Sequence, residues 1–160
     1  EWNAEQDRGR SLAEGTEILI AKFPEWETEI RAYYDNWTTM LRSDIPENVA
    51  VLRKLEHSEY DLFGLTNWSA ETFPYALENY DFFEIFKGKI VVSGTEKLIK
   101  PDKKIWEVLL ERYHLKPEES VFIDDNPKNI EVAKMLGFIT VHITEGTNLA
   151  EELRSLGIRF

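Results

Sequence analysis

Cysteine is absent from this 160-residue chain, so disulfides and thiolate metal sites are excluded. That absence is compatible with a reducing compartment, and the cytoplasm is the expected location. Long hydrophobic runs are missing too. No stretch approaches the roughly 20 apolar residues of a membrane-spanning helix, and the opening EWNAEQDRGR lacks the apolar centre of a signal peptide, so a soluble protein is expected. Basic charge is in deficit: 19 Lys and Arg stand against 30 Asp and Glu, for a formal net charge of −11 and a pI near 4.8. With no stripe of Lys or Arg to follow a phosphate backbone, nucleic acid is excluded as a partner. An anionic ligand must therefore be met by a few local groups. Internal repeats and low-complexity segments are also absent.

What is present is enough apolar residue, 42% of the chain, for one well-packed core with a small helical accessory. The first third reads as two helices. Leu12, Ile18, Leu19 and Phe23 mark one apolar stripe, Pro24 breaks it, and Trp26, Ile30, Tyr33, Trp37 and Leu41 mark the second. Ser43-Asp44-Ile45-Pro46 then starts a short helix with Val49, Leu52 and Leu55 on one face, which sets a boundary between residues 1–45 and 46–160.

Beyond that boundary four short apolar runs, 62–66, 90–92, 121–124 and 139–142, alternate with helical stretches. Pro101-Asp102 opens one helix ending near Leu115, Asn126-Pro127 opens another ending at Gly137, and Thr147 is placed to cap the last. Alternation of this kind predicts an α/β fold with a parallel sheet, its strands buried on both faces. Ligands in such folds sit at the carboxyl ends of the strands.

Three strand ends carry polar groups suited to an anion or a cation. Asp124 and Asp125 close the third apolar run directly before Asn126-Pro127. Adjacent carboxylates repel one another and call for a cation, and an all-oxygen donor set selects Mg²⁺; the plain alternative is that one of them caps the helix. Thr66 and Asn67 close the first run, where a hydroxyl, an amide and free main-chain N–H groups suit a phosphate, or simply a turn. Lys100 precedes Pro101 and is held outside the following helix, either reaching an anion or standing as one more solvated lysine beside Lys97, Lys103 and Lys104.

Taken in this order on an α/β pattern, Thr66-Asn67, Lys100-Pro101 and Asp124-Asp125 resemble the motifs of the haloacid dehalogenase-like (HAD) hydrolase superfamily. The resemblance implies a Rossmann-like HAD core over 46–160 and the remainder of an all-helical cap over 1–45. It implies that Thr66 and Asn67 bind the transferring phosphoryl group and that Lys100 stabilises charge on nucleophile and phosphate. Asp125 is then the Mg²⁺ ligand, with Asp124 a second ligand or a support for the first, and Asn129 orienting metal water and the helix start. The Asp-Asp-Asn form of the last motif looks like that of sugar-phosphate phosphatases and of the phosphatase domain of soluble epoxide hydrolases. The reaction implied is attack by an aspartate on a small phosphorylated metabolite, with water hydrolysing the aspartyl-phosphate.

The aspartates that perform this attack belong, in the superfamily, to an Asp-x-Asp motif ending a first core strand, and no Asp-x-Asp occurs in this sequence. A further segment carrying it is expected before Glu1, and the 160 residues alone are expected to be inactive. That strand would lie mid-sheet, between the strands ending at Thr66 and Asp124, so an open slot is expected there. Two other functions remain: a metal-independent 2-haloacid dehalogenase, and an inactive module that binds a phosphometabolite or a partner protein. Trp26, Tyr33, Tyr34 and Trp37 either line a substrate pocket or fill a core, the arginines of Asp7-Arg8-Gly9-Arg10 read as solvated, and His57, His114 and His142 have no site-like spacing.

Overall fold

A computed structural model of the protein describes residues 2–41 and 43–160; Glu1, before which the further segment is expected, lies outside them, as does Arg42. The N-terminal third holds three helices where two were expected, α1 (Trp2–Asp7), α2 (Leu12–Lys22) and α3 (Glu27–Asp35). Ser11 starts α2 by accepting a hydrogen bond from the Glu14 N–H, and Pro24 opens a short 3₁₀ turn, Pro24–Trp26, before α3. The apolar stripe expected on α2 does not face a core: Ile18 is 46% and Phe23 39% exposed. Its buried residues are Gly15 and Thr16. The reason is close approach. The Gln6 side chain of α1 lies so near Gly15 that a Cβ there would meet its amide carbon at 2.8 Å, and the Trp2 indole N–H donates to the Gly15 carbonyl at 2.7 Å. Small size, not hydrophobicity, fixes this helix pair.

Helix α4 (Pro46–Glu56) starts with proline in its first turn, as expected, and buries Val51 and Leu55. Four strands follow, β1 (Gly64–Thr66), β2 (Ile90–Val92), β3 (Val121–Asp124) and β4 (Ile139–His142). Between them run α5 (Phe73–Asn79), α6 (Ser93–Glu96), α7 (Lys104–Tyr113) and α8 (Pro127–Met135), with α9 (Leu149–Ser155) last. Asn148, rather than Thr147, caps α9, accepting from the N–H groups of Ala150 and Glu151; Thr147 instead closes a turn on Thr144.

The pairing is parallel, as expected, but it forms two separate two-stranded sheets, β1 with β2 and β3 with β4. One core unites them. Val91 of β2 and Phe122 of β3 are buried together with Ile105, Trp106 and Leu109 of α7 and Ile130 and Ala133 of α8, so the same two helices cover both pairs. The opposite face of the β3–β4 pair packs Val141 on Val51 and Leu55 of α4 and Leu149 and Leu153 of α9. The strands are not buried on both faces throughout: Ile123 is 38% and Ile139 42% exposed. In β1 the Gly64 N–H donates to Lys89 on the β2 side, so alternation turns the main-chain groups of Leu65 to the opposite, unpaired edge. By the same rule the main chain of Ile123 faces away from β4, since the carbonyls of Ser120 and Asp124 accept from β4-side donors.

Candidate active site

Lys100 links the two strand pairs. Its ammonium donates to the Leu65 carbonyl on the unpaired edge of β1 at 2.7 Å and to Asp124 Oδ2 at the end of β3, also at 2.7 Å. The two side chains are only 9% and 7% exposed, so this is a buried ion pair and not a solvated lysine. The Phe122 ring centroid lies 5.6 Å from the ammonium and adds a weaker attraction. Two of the three ammonium donors are thus occupied, and one is left for an anion.

The remaining Asp124 oxygen is also committed. Oδ1 accepts from the Asn126 main-chain N–H at 2.8 Å and from Asn129 Nδ2 at 2.9 Å. Asn129 itself is buried, and its Oδ1 has no partner among the described residues. A buried amide oxygen left unpaired is costly, which makes it available to an incoming donor or cation. Asp125 differs from its neighbour: its side chain is exposed, with no hydrogen bond or ion pair among the described residues. Its main chain is held, because His142 Nε2 donates to the Asp125 carbonyl at 3.0 Å. His142, expected to be incidental, therefore braces the acidic turn from β4.

Across the slot, Thr66 ends β1 half-buried, with no hydrogen bond to its hydroxyl among the described residues. Asn67 grips Lys100 with its amide: Oδ1 accepts from the Lys100 N–H at 2.9 Å and Nδ2 donates to the Lys100 carbonyl at 3.0 Å. The second Nδ2 hydrogen has no partner among the described residues, and the side chain sets the position of Lys100. The peptide bond between Lys100 and Pro101 is cis.

Ser93, which sequence reasoning passed over, pins the loop after β1. Fully buried, its hydroxyl accepts from the Trp68 N–H at 2.9 Å and donates to the Asp7 carbonyl at 2.5 Å. The next residue, Gly94, donates its N–H to the Trp68 carbonyl. A Cβ at Gly94 would strike the Ala70 nitrogen and lie 2.8 Å from the Trp68 carbonyl oxygen. The Ser-Gly pair directly after Ile90–Val92 was the available signal. Gly94→Ala is expected to lose about 1–3 kcal/mol, read from urea unfolding, as the loop bearing Thr66 and Asn67 is pushed aside.

The donor chemistry fits Mg²⁺ in part. The uncommitted Asp125 carboxylate and the unclaimed Asn129 amide oxygen are both oxygen donors, and Mg²⁺ is commonly held by one or two carboxylates, its other positions filled by water and phosphate. No group of three or more His, Asp or Glu side chains is gathered for a metal among the described residues.

Comparison with known proteins gives the same direction. The family model described as haloacid dehalogenase-like hydrolase matches residues 8–143. Sesquiterpene phosphatase astK of Aspergillus oryzae is 30% identical over 129 residues, which is 81% of this chain and 65% of that protein's length. D-ribitol-5-phosphate phosphatase of Bacteroides thetaiotaomicron is 35% identical over 54 residues, covering 34% of this chain and 26% of that one. Among solved structures, a HAD family enzyme of Bacteroides thetaiotaomicron in its magnesium complex superposes with a TM-score of 0.77 at 24% identity, over 94% of this chain and 78% of that one. The chain thus spans just under two thirds of the length of the first of these relatives.

Proposed function

Because the chain belongs to the haloacid dehalogenase-like hydrolase family, we propose that it forms the phosphate- and metal-binding part of a Mg²⁺-dependent phosphatase acting on a small phosphorylated metabolite. The observation that carries this reading is the buried bridge from Leu65 through Lys100 to Asp124, which holds a cation between two strand ends with one donor to spare. Residues 1–45 act as a cap and 46–160 as the core.

In this reading the spare Lys100 donor and the Thr66 hydroxyl bind phosphoryl oxygens, and the main chain after Thr66 adds to them. Asp125 ligates the metal, with Asp124 holding the turn through Asn126 and Asn129. Bound Mg²⁺ supplies charge neutralisation at the phosphoryl oxygens. A strand bearing an Asp-x-Asp pair, seated between the unpaired edges of β1 and β3, completes the site. Its first carboxylate attacks phosphorus and expels the alcohol, which takes its proton from the second; that carboxylate then takes a proton from the water that cleaves the aspartyl-phosphate. No helix among the described residues is long and apolar enough to cross a membrane, and a cytoplasmic location belongs to the same proposal.

Chelation separates this from dehalogenation or passive binding. Phosphate release by the full-length protein is expected to fall at least 100-fold in EDTA and to return with Mg²⁺. Release that survives EDTA, or a full-length protein that binds phosphate without turnover, would overturn the proposal.

A further inference from the structure

A cavity of about 320 Å³ lies between the N-terminal helices and the loop after β1, at the small end of the range for ligand pockets. One part of its wall is aromatic and aliphatic, with Tyr33, Trp37, Met40 and Trp68, and the rest is polar, with Asn3, Gln6, Ser69 and Thr72. It reaches the proposed phosphate site, because Asn67, whose amide grips Lys100, is also a wall residue. Among the described residues neither Lys nor Arg lines it, and the one carboxylate in the wall is Asp7.

Asp7 is half-buried and forms no ion pair among the described residues; the neighbouring Arg8 pairs with Glu5, and Arg10 donates to Gln6 and the Trp2 carbonyl. Burial pushes the Asp7 carboxyl above the ordinary aspartate range, and a hydrogen bond from the Ser69 main chain offsets this only in part. Its main chain is fixed to the core by the Ser93 hydroxyl, so the carboxylate is held at the wall and does not swing with a loose loop. A buried acceptor lacking a full set of donors favours a ligand that brings one.

We propose that this cavity receives the leaving group of the phosphate ester, and that it selects a largely apolar, uncharged or cationic body whose far end donates a hydrogen bond to Asp7. Acidic leaving groups are disfavoured by the same carboxylate, which pairs with no Arg or Lys among the described residues to offset a second negative charge. A polyhydroxylated chain could reach polar groups of Asn3, Ser69 and Thr72 on the wall but would set its other hydroxyls against the rings of Tyr33, Trp37 and Trp68. This rests on the phosphatase reading for the placement of the phosphate, and on the cavity alone for the rest.

The test is binding, read by calorimetry and by tryptophan fluorescence from Trp37 and Trp68, on the full-length protein with Mg²⁺. The probes are inorganic phosphate, hexyl phosphate, and hexyl phosphates ending in a hydroxyl, an ammonium or a carboxylate. The hexyl chain is expected to gain about tenfold or more over inorganic phosphate. The hydroxyl or ammonium end should gain about a further tenfold, its two arms telling which donor is preferred, and the carboxylate end should lose at least as much. Asp7→Asn should erase the distinction between these ends, and Trp37→Ala the gain from the chain. Both variants should bind inorganic phosphate as before, with thermal melts checking that each is folded.

Equal binding of all three ends, or tightest binding of a pentitol phosphate, overturns the proposal. So does a Trp37→Ala protein that keeps the gain. If inorganic phosphate fails to bind while 1,6-hexanediol still binds in an Asp7- and Trp37-dependent way, the phosphatase reading fails and the cavity assignment stands.

Discussion

Lys100→Met is expected to abolish phosphate release by a factor on the order of 10² to 10³ and to destabilise the fold by about 3–5 kcal/mol. The two losses have separate causes. Activity falls because the one uncommitted donor of the ammonium is lost from the phosphate site. Stability falls because Asp124, only 7% exposed, keeps its charge and loses the cation that offsets its desolvation. The remaining donors to Asp124, the Asn126 N–H and Asn129 Nδ2, are neutral and cannot replace it. A second substitution divides the effects. In Lys100→Met/Asp124→Asn no buried charge remains, so most of the stability should return in urea unfolding while activity stays lost. A single variant that unfolds within 1 kcal/mol of the parent would mean that the pair is far better hydrated than its geometry indicates.

Lys100 also shows where the sequence was legible. Its position before Pro101 marked it as a residue held outside the next helix, and its company with Thr66 and Asp124 marked it as a site residue. Four apolar runs located all four strands, the second, third and fourth to the residue, because short β-branched segments between helices admit little else. What could not be read were relations set by shape and not by pattern. Gly15 under Gln6 and Gly94 under Trp68 organise two contacts through missing side chains, and hydrophobic periodicity has no term for that. The stripe of Ile18 and Phe23 misled for the same reason.

Within the site, residue types were legible and their division of labour was not. Asn67 reads as a phosphate donor, and its amide also holds both main-chain groups of Lys100, a second task that spacing does not reveal. The aromatics of the first third read equally as core or pocket, and they divide: Tyr33, Tyr34 and Trp37 line the cavity, while Trp26 stands 56% exposed. Ser93 and His142 act on site residues through a hydroxyl and an imidazole aimed at main-chain atoms, contacts that leave no spacing in the sequence. Long-range polar pairs of this kind are fixed only once the strands are placed.

The two adjacent aspartates give the sharpest remaining contrast. Asp125→Asn is expected to reduce phosphate release on the order of 10²-fold and to weaken Mg²⁺ binding comparably, while changing stability by less than about 0.5 kcal/mol. Its side chain is exposed and engages no other described residue, so the fold has little to lose. Asp124→Asn should behave in the opposite way. It leaves the Lys100 ammonium buried without its counter-charge, and sets an amide with a single acceptor oxygen where three donors converge, so unfolding should shift by about 3 kcal/mol or more. Calorimetry with Mg²⁺ alone, paired with urea unfolding of both variants, reads the contrast without any substrate. If Mg²⁺ binding is lost in Asp124→Asn with stability intact, and is kept in Asp125→Asn, then the ligand and the anchor have been assigned the wrong way round. The bridge through Lys100 would then be a resting contact that the metal displaces, since an oxygen engaged by an ammonium cannot also serve a cation at full strength.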